Sequence, residues 1–512
     1  MKTNKSKNNK NSLFSKAKLL LQSLLSVSTG LIATNLPANA LNFNFTYGSQ
    51  VTYEQMLGFE MAGKYWSHYL KDDFTINMFI DSTGNLPENV IGGALPGMKS
   101  YSYNFFQNKF NKDKSSRDDN LAFDSFNNGR NDDYHVMVDG KEIEGINKVN
   151  MTRANAKALG LISGNHKEID GYIMISNLDN INGNFSWNYD YLNHEVSANK
   201  LDFFSMAVHE IGHNLGFVSS GDNLGFRKAI KESQTTNQKI TATKINESIT
   251  VLDLYRYSYQ SKKFVHSVDK QKGIPDISIG GKPFFSDNRG EFNIGELSSG
   301  EDSEFGGNGY QASHWKPRDG KLGIMDPLLR LGQRRQTTFE DRNAMDVLGW
   351  DVDMNANIFD VINWDVPYLS NYYWQQTYHE AKHSLAEKMG IPTWLMEIAP
   401  EWAASLLSWD WIDNNDNSYD DRYEELDKML EDSGSVYKWG WGTGYSQKTL
   451  ASNTSMLWQH MTWQKVDLSR SNSIAVKSTP EPTSLFGLLG LSLLGIISRS
   501  RSFSIASKMT GK

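Results

Sequence analysis

The segment His209-Glu210-Ile211-Gly212-His213 constrains this chain more than any other. Helical periodicity sets histidines four apart on one face, about one turn apart, so both rings can reach a single metal ion. Glu210 faces the same ion without binding it and is placed to take a proton from water there. The flanks fit a buried helix, with Met206, Ala207 and Val208 before the motif and Leu215, Phe217 and Val218 after it. The pattern predicts a helix from Phe203 to about Phe217, with Asp202 as its N-cap and Gly216 near its end.

The chain has no cysteine, which excludes disulfides, cysteine nucleophiles and thiolate ligands. A metal must then be held by His, Asp, Glu or water. A catalytic zinc takes three protein ligands and keeps one position open. The helix supplies two, and four candidates stand for the third. Ser219, three residues after Gly216, is a poor ligand. Asp222, three further on, can bind through oxygen. A glutamate on a later helix is another option, although nothing marks one. The fourth is His314, in Ala312-Ser313-His314-Trp315-Lys316, which Gly323-Ile324-Met325-Asp326-Pro327 follows.

The run His209 to Phe217, the Ser-His-Trp context of His314 and the nearby Met325 together resemble the leishmanolysin branch of the metzincin zinc peptidases. The likeness covers about 203–350. It implies an α+β catalytic domain of zincin type, a twisted mixed sheet plus an active-site helix. It implies His209, His213 and His314 as Zn2+ ligands, Glu210 as catalytic base and Met325 as the methionine under the zinc. The implied activity is that of a secreted or envelope-associated endopeptidase, hydrolysing peptide bonds with zinc-activated water. A protein or peptide substrate would add as a strand beside an edge strand, for which Gly171 to Ser176 is the candidate. The chain departs from the branch in having no cysteine to block the zinc of a proenzyme. The rival reading is a non-catalytic, zinc-stabilised envelope matrix or adhesion protein. Glu210 argues against it, because a purely structural site has no use for a general base.

Two other motifs read as ordinary surface. His379-Glu380-Ala381-Lys382-His383 repeats the spacing, but Lys382 puts a cation inside it and no glycine follows as after His213. Asp413-Asn414-Asn415-Asp416-Asn417 with Glu424 begins like a calcium loop. Ser418 replaces the sharp-turn glycine, however, and Asp420 stands where an apolar residue is expected.

The termini point to export. Residues 1–40 run from a lysine-rich start without acids, through an apolar stretch, to Ala38-Asn39-Ala40, and read as a secretory signal with the mature chain starting at Leu41. Near the other end, Pro480-Glu481-Pro482, the apolar run Leu485 to Ile497 and Arg499 with Arg501 resemble a PEP-CTERM sorting signal over 480–512. That likeness implies a Gram-negative-type envelope, transient membrane association through 485–497 and a sorting protease that removes the tail. A net charge of −7 gives no case for nucleic acid. Between the ends, the expected organisation is a zinc peptidase domain over 41–352, a mostly helical Trp-rich region over 353–466 and a linker over 467–479. Within the first, a helix is expected over Tyr53 to Leu70 and a strand over Phe74 to Ile80. A polar loop or poorly ordered insertion is expected over 108–133 and a surface excursion over 228–249. Thr337 with Glu340 reads as a capping box opening a further helix.

Overall fold

The computed structural model describes residues 41–126, 133–193, 195–236, 239–265, 273–318, 323–356, 367–393, 396 and 461–468, without the side chains of 367–373. The expected signal over 1–40, the calcium-like segment 413–424 and the apolar run 485–497 lie outside the described residues. Among the described residues no helix is long and apolar enough to cross a membrane.

The fold is α+β, with a mixed sheet of six strands. Their order is Asn42–Tyr47, Thr75–Thr83, Gly171–Ser176, Val90–Pro96, Thr462–Asp467 and Leu328–Arg330. The first three run parallel. Val90–Pro96 is antiparallel to Gly171–Ser176, and Thr462–Asp467 is antiparallel to Val90–Pro96. Leu328–Arg330 closes the order, parallel to Thr462–Asp467. Gly171–Ser176 is therefore an interior strand, which corrects its reading as an edge. All six of its residues are buried, and an apolar run with no polar face is what a strand covered on both sides requires.

Two helices pack on the sheet and on each other. Tyr53–Tyr69 begins at a capping box of Thr52 and Gln55 and buries Phe59, Ala62, Tyr65, Trp66 and Tyr69, while Met56, on the same apolar stripe of the sequence, is only half-buried. Asp202 caps Phe203–Asn214 by accepting from the Ser205 N–H. Trp66 ties the two helices by donating its indole N–H to the Val208 carbonyl at 3.0 Å. On the strands, Gly171 and Gly92 face Phe203–Asn214. A Cβ on Gly171 would lie 2.1 Å from Asn214 Oδ1, so only glycine admits the helix this close.

Several local expectations change. The polar stretch 108–133 is not a loop where it is described: helices Tyr103–Asp113 and Arg117–Phe126 occupy it. Phe106, Phe110, Ala122 and Phe126 are buried there, and this sparse apolar face decides against the asparagine-rich composition. The surface excursion over 228–249 stands, its described residues being mostly exposed or half-buried, and it includes most of helix Leu224–Thr236 and all of Ala242–Asn246, anchored by Phe226, Ile230 and Ile245. The capping box is one residue later than expected, with Thr338 and Asp341 opening helix Phe339–Val347.

Of the region 353–466, the larger described parts are helix Pro367–Lys388 and strand Thr462–Asp467. The helix is fixed to Tyr53–Tyr69 by Lys388 and Ser384, which bond the buried Glu60 carboxylate at 2.6 and 2.9 Å. It carries the second histidine pair, and His379 and His383 are both exposed. Trp463, expected in a helical region, lies in a strand of the main sheet. The compact unit that holds this sheet extends to Asp467.

Candidate metal centre

Three histidines from two distant segments meet in the interior. His209 and His213 come from helix Phe203–Asn214, and His314 arrives from a loop 101 residues beyond His213. Their Nε2 atoms lie 3.0 Å apart for His209 and His213, 3.2 Å for His213 and His314, and 3.3 Å for His209 and His314. Each Nδ1 faces a main-chain carbonyl: Ile324 at 2.7 Å, Phe217 at 2.8 Å and Gln311 at 3.3 Å, respectively. A carbonyl oxygen can only accept, so each Nδ1 carries the proton and each neutral ring turns a bare Nε2 lone pair inward. Neutral rings so arranged cannot hydrogen-bond one another, and the three lone pairs repel unless a cation lies between them.

The chemistry and spacing fit a zinc ion. Zn–N bonds of about 2.0–2.1 Å in tetrahedral geometry set ligand nitrogens about 3.3–3.4 Å apart. Burial holds His209 and His314 well below the usual imidazole range, and the neighbouring rings add to it. Burial also brings His213 down to about 4. All three rings are thus in the neutral form that metal ligation needs.

Glu210 lies beside them and is fully buried, with neither carboxyl oxygen hydrogen-bonded. Burial raises its pKa well above the carboxylate range. The Gln464 backbone N–H lies near enough to oppose that shift, short of a well-formed hydrogen bond. A bare buried carboxyl is costly in a structural core, and beside three convergent imidazoles it is what a proton-transfer group requires. Gly92 makes room for it: a Cβ there would be 3.0 Å from Glu210 Oε1.

Met325 lies beneath the motif helix. A Cβ on Gly212 would stand 2.5 Å from its sulfur, so the glycine inside the histidine motif is there to admit Met325. Gly212→Ala is expected to cost about 1–3 kcal/mol by overpacking. Urea unfolding measures it, and an unchanged midpoint would show that Met325 yields freely.

Asp222, a sequence candidate for third ligand, does something else. Its carboxylate accepts from the Ala312 N–H at 2.6 Å, the Ser313 N–H at 2.7 Å and the Ser313 hydroxyl at 2.5 Å. It therefore fixes the loop immediately before His314, and it is not among the groups whose ligand atoms converge. Ser219, the other short-range candidate, is also engaged, donating to Asp253 at 2.6 Å.

Motif reading misses Asp341. Its buried carboxylate takes the indole N–H of Trp315 at 2.7 Å and the N–H groups of Ile324 and Thr338, both at 2.7 Å. It thereby fixes the residue after His314 and the turn whose Ile324 carbonyl orients His209. Its signal was a capping aspartate read one register early. Gly92 is missed as well, although a Gly-Gly pair inside an apolar run marks close backbone approach. A second group, His135 with Glu142 and Glu144, also brings ligand-type atoms together, but His135 Nδ1 and Glu142 already pair at 2.8 Å.

Residues 478–502 match the PEP-CTERM protein-sorting motif. The chain thus carries the mark of proteins exported and sorted in a Gram-negative-type envelope, recognised at the C-terminal tail by a sorting protease. No curated protein and no solved structure matches this chain.

Proposed function

We propose that the chain is an exported zinc endopeptidase of metzincin-like build, with His209, His213 and His314 as the zinc ligands and Glu210 as the general base. The observation that carries this reading is the convergence of three neutral imidazoles beside an unpaired buried carboxyl. Zinc held there supplies Lewis acidity for a peptide carbonyl and makes water a nucleophile near neutral pH. Glu210 takes the proton from the attacking water at a carboxyl oxygen and returns it to the leaving amine. Main-chain carbonyls at the three Nδ1 atoms hold the rings in the required tautomer and orientation. Asp341 and Asp222 keep the distant third ring in register with the helix. Met325 supports the helix from below.

An extended peptide suits the neighbourhood, because strand Val90–Pro96 abuts Glu210 through Gly92. Beside it lies a depression lined by Leu95, Pro96, Val218, Ser219, Ser313 and Met461. Its walls also carry Asn150, Asn223 and the carboxylates of Asp222 and Glu247, so they mix apolar and polar groups.

Zinc content and casein digestion test the reading together. The purified protein is expected to hold one zinc per chain. A chelator is expected to remove both the zinc and the hydrolysis, and added zinc to restore them. A protein that binds one zinc yet cleaves neither casein nor a peptide library, also after Gln464→Pro or Gln311→Ala, is not a peptidase.

A further inference from the structure

Strand Thr462–Asp467 runs over the site. It fills the place between Val90–Pro96, to which it is antiparallel, and Leu328–Arg330, to which it is parallel. Both neighbours bear on the metal centre. Gly92 of the first abuts Glu210, and the second begins three residues after Met325. Without the inserted strand, two facing rows of backbone N–H and C=O groups would lie open beside Glu210. Such a gap takes one extended peptide and bonds it from both edges.

The loop that carries the third histidine also grips this strand by its backbone. Gln311 donates its amide to the Met461 carbonyl at 2.8 Å and accepts from the Trp463 N–H at 2.8 Å. That two-point contact reads main chain and is indifferent to side chains, as a site for varied peptides needs. Gln464 sits opposite Gly92, with its N–H toward Glu210. Its side chain is fully buried and donates to the Asp326 carbonyl at 3.2 Å, while its Oε1 has no hydrogen-bond partner. The pairing register with Val90–Pro96 shifts between Gln464 and Lys465, just where the strand passes Glu210. His209, His213, His314 and Glu210 are all fully buried, so a substrate reaches them only if something moves.

We propose that Thr462–Asp467 is a latency strand: the chain's own segment occupies the peptide slot over the metal centre and must leave before a substrate enters. This rests on the endopeptidase reading above. It answers the absence of cysteine, because occupation of the slot replaces thiolate blocking of the metal. A tethered occupant competes intramolecularly, so a free peptide must exceed its effective concentration to displace it. The strand also stands just ahead of the sorting motif at 478–502.

The test uses the full chain, Gln464→Pro and Gln311→Ala. The proline removes the N–H toward Glu210 and the buried carboxamide. The alanine removes the grip on Met461 and Trp463 and is the milder change should the proline variant fail to fold. The probe is a fluorescein-labelled peptide with the sequence of residues 461–468, followed by anisotropy in zinc-loaded and metal-free protein. Casein hydrolysis is read in parallel. The wild type is expected to ignore the probe and to cleave slowly. The variants are expected to bind the probe and to cleave about tenfold faster or more, with the unlabelled peptide inhibiting competitively. Folded variants that bind no probe and cleave no faster than wild type overturn the proposal and make the strand ordinary sheet. Variants that bind the probe but cleave nothing uphold the slot and its occupant, and remove the peptidase reading instead.

Discussion

Glu210→Gln is expected to lower peptide hydrolysis about 10²–10⁴-fold while leaving the zinc content at the wild-type level. The substitution keeps the volume and burial of the side chain and removes only its capacity to take a proton. Glu210 makes no hydrogen bond to any ligand histidine, and both its oxygens are unpaired, so the metal centre does not lean on it. Burial already holds the carboxyl well above its ordinary range. In the metal-free protein a neutral amide therefore costs the fold little, and the metal-free variant is expected to unfold at the wild-type temperature or higher; a cation bound beside it favours the ionised carboxylate that takes the proton. Metal analysis, thermal unfolding and casein digestion on one preparation separate these effects. Full activity in a zinc-loaded variant would remove Glu210 from the mechanism.

The helix with its two histidines was legible because all its information is local: spacing, an N-cap at Asp202 and apolar flanks. The geometry it predicts needs no knowledge of the rest of the chain. His314 is different in kind. Nothing in its spacing from the helix points to it, and it was reached through a family likeness in the residues around it. What the sequence did not yield depends on partners far along the chain. Asp341 looks like one surface acid among many until the turns it bonds are placed around it. Asp222 looked like a ligand because it lies near the motif, yet its oxygens face the His314 loop. Gly171–Ser176 was misplaced because an apolar run says that both faces are covered and not by which strands. Thr462–Asp467 is the extreme case. A six-residue strand inside a Trp-rich region has no periodicity of its own to announce it, and its place in the sheet is set by the slot that receives it.

His314→Ala is expected to strip most of the zinc. Structural zinc sites with four ligands bind with about 10–16 kcal/mol, so one ligand averages about 2.5–4 kcal/mol, or roughly 70- to 900-fold in affinity. The truncation also leaves His209 and His213 with Nε2 atoms 3.0 Å apart and only two nitrogens to offer. Asp222→Asn sets the scale for an indirect effect. Its carboxylate holds Ala312 and Ser313, not the metal, so weakening it loosens the loop that aims His314. A loss of about 10–100-fold in affinity is expected there, the range found for groups that orient a ligand. Competition with a chelating dye measures both variants on one scale. The His314 variant is expected to recover part of its affinity with added imidazole, which can enter the vacated space, and the Asp222 variant is not. If Asp222→Asn instead proves the more damaging and His314→Ala keeps its zinc, the third ligand is not the histidine. The geometry of converging lone pairs would then need another cause.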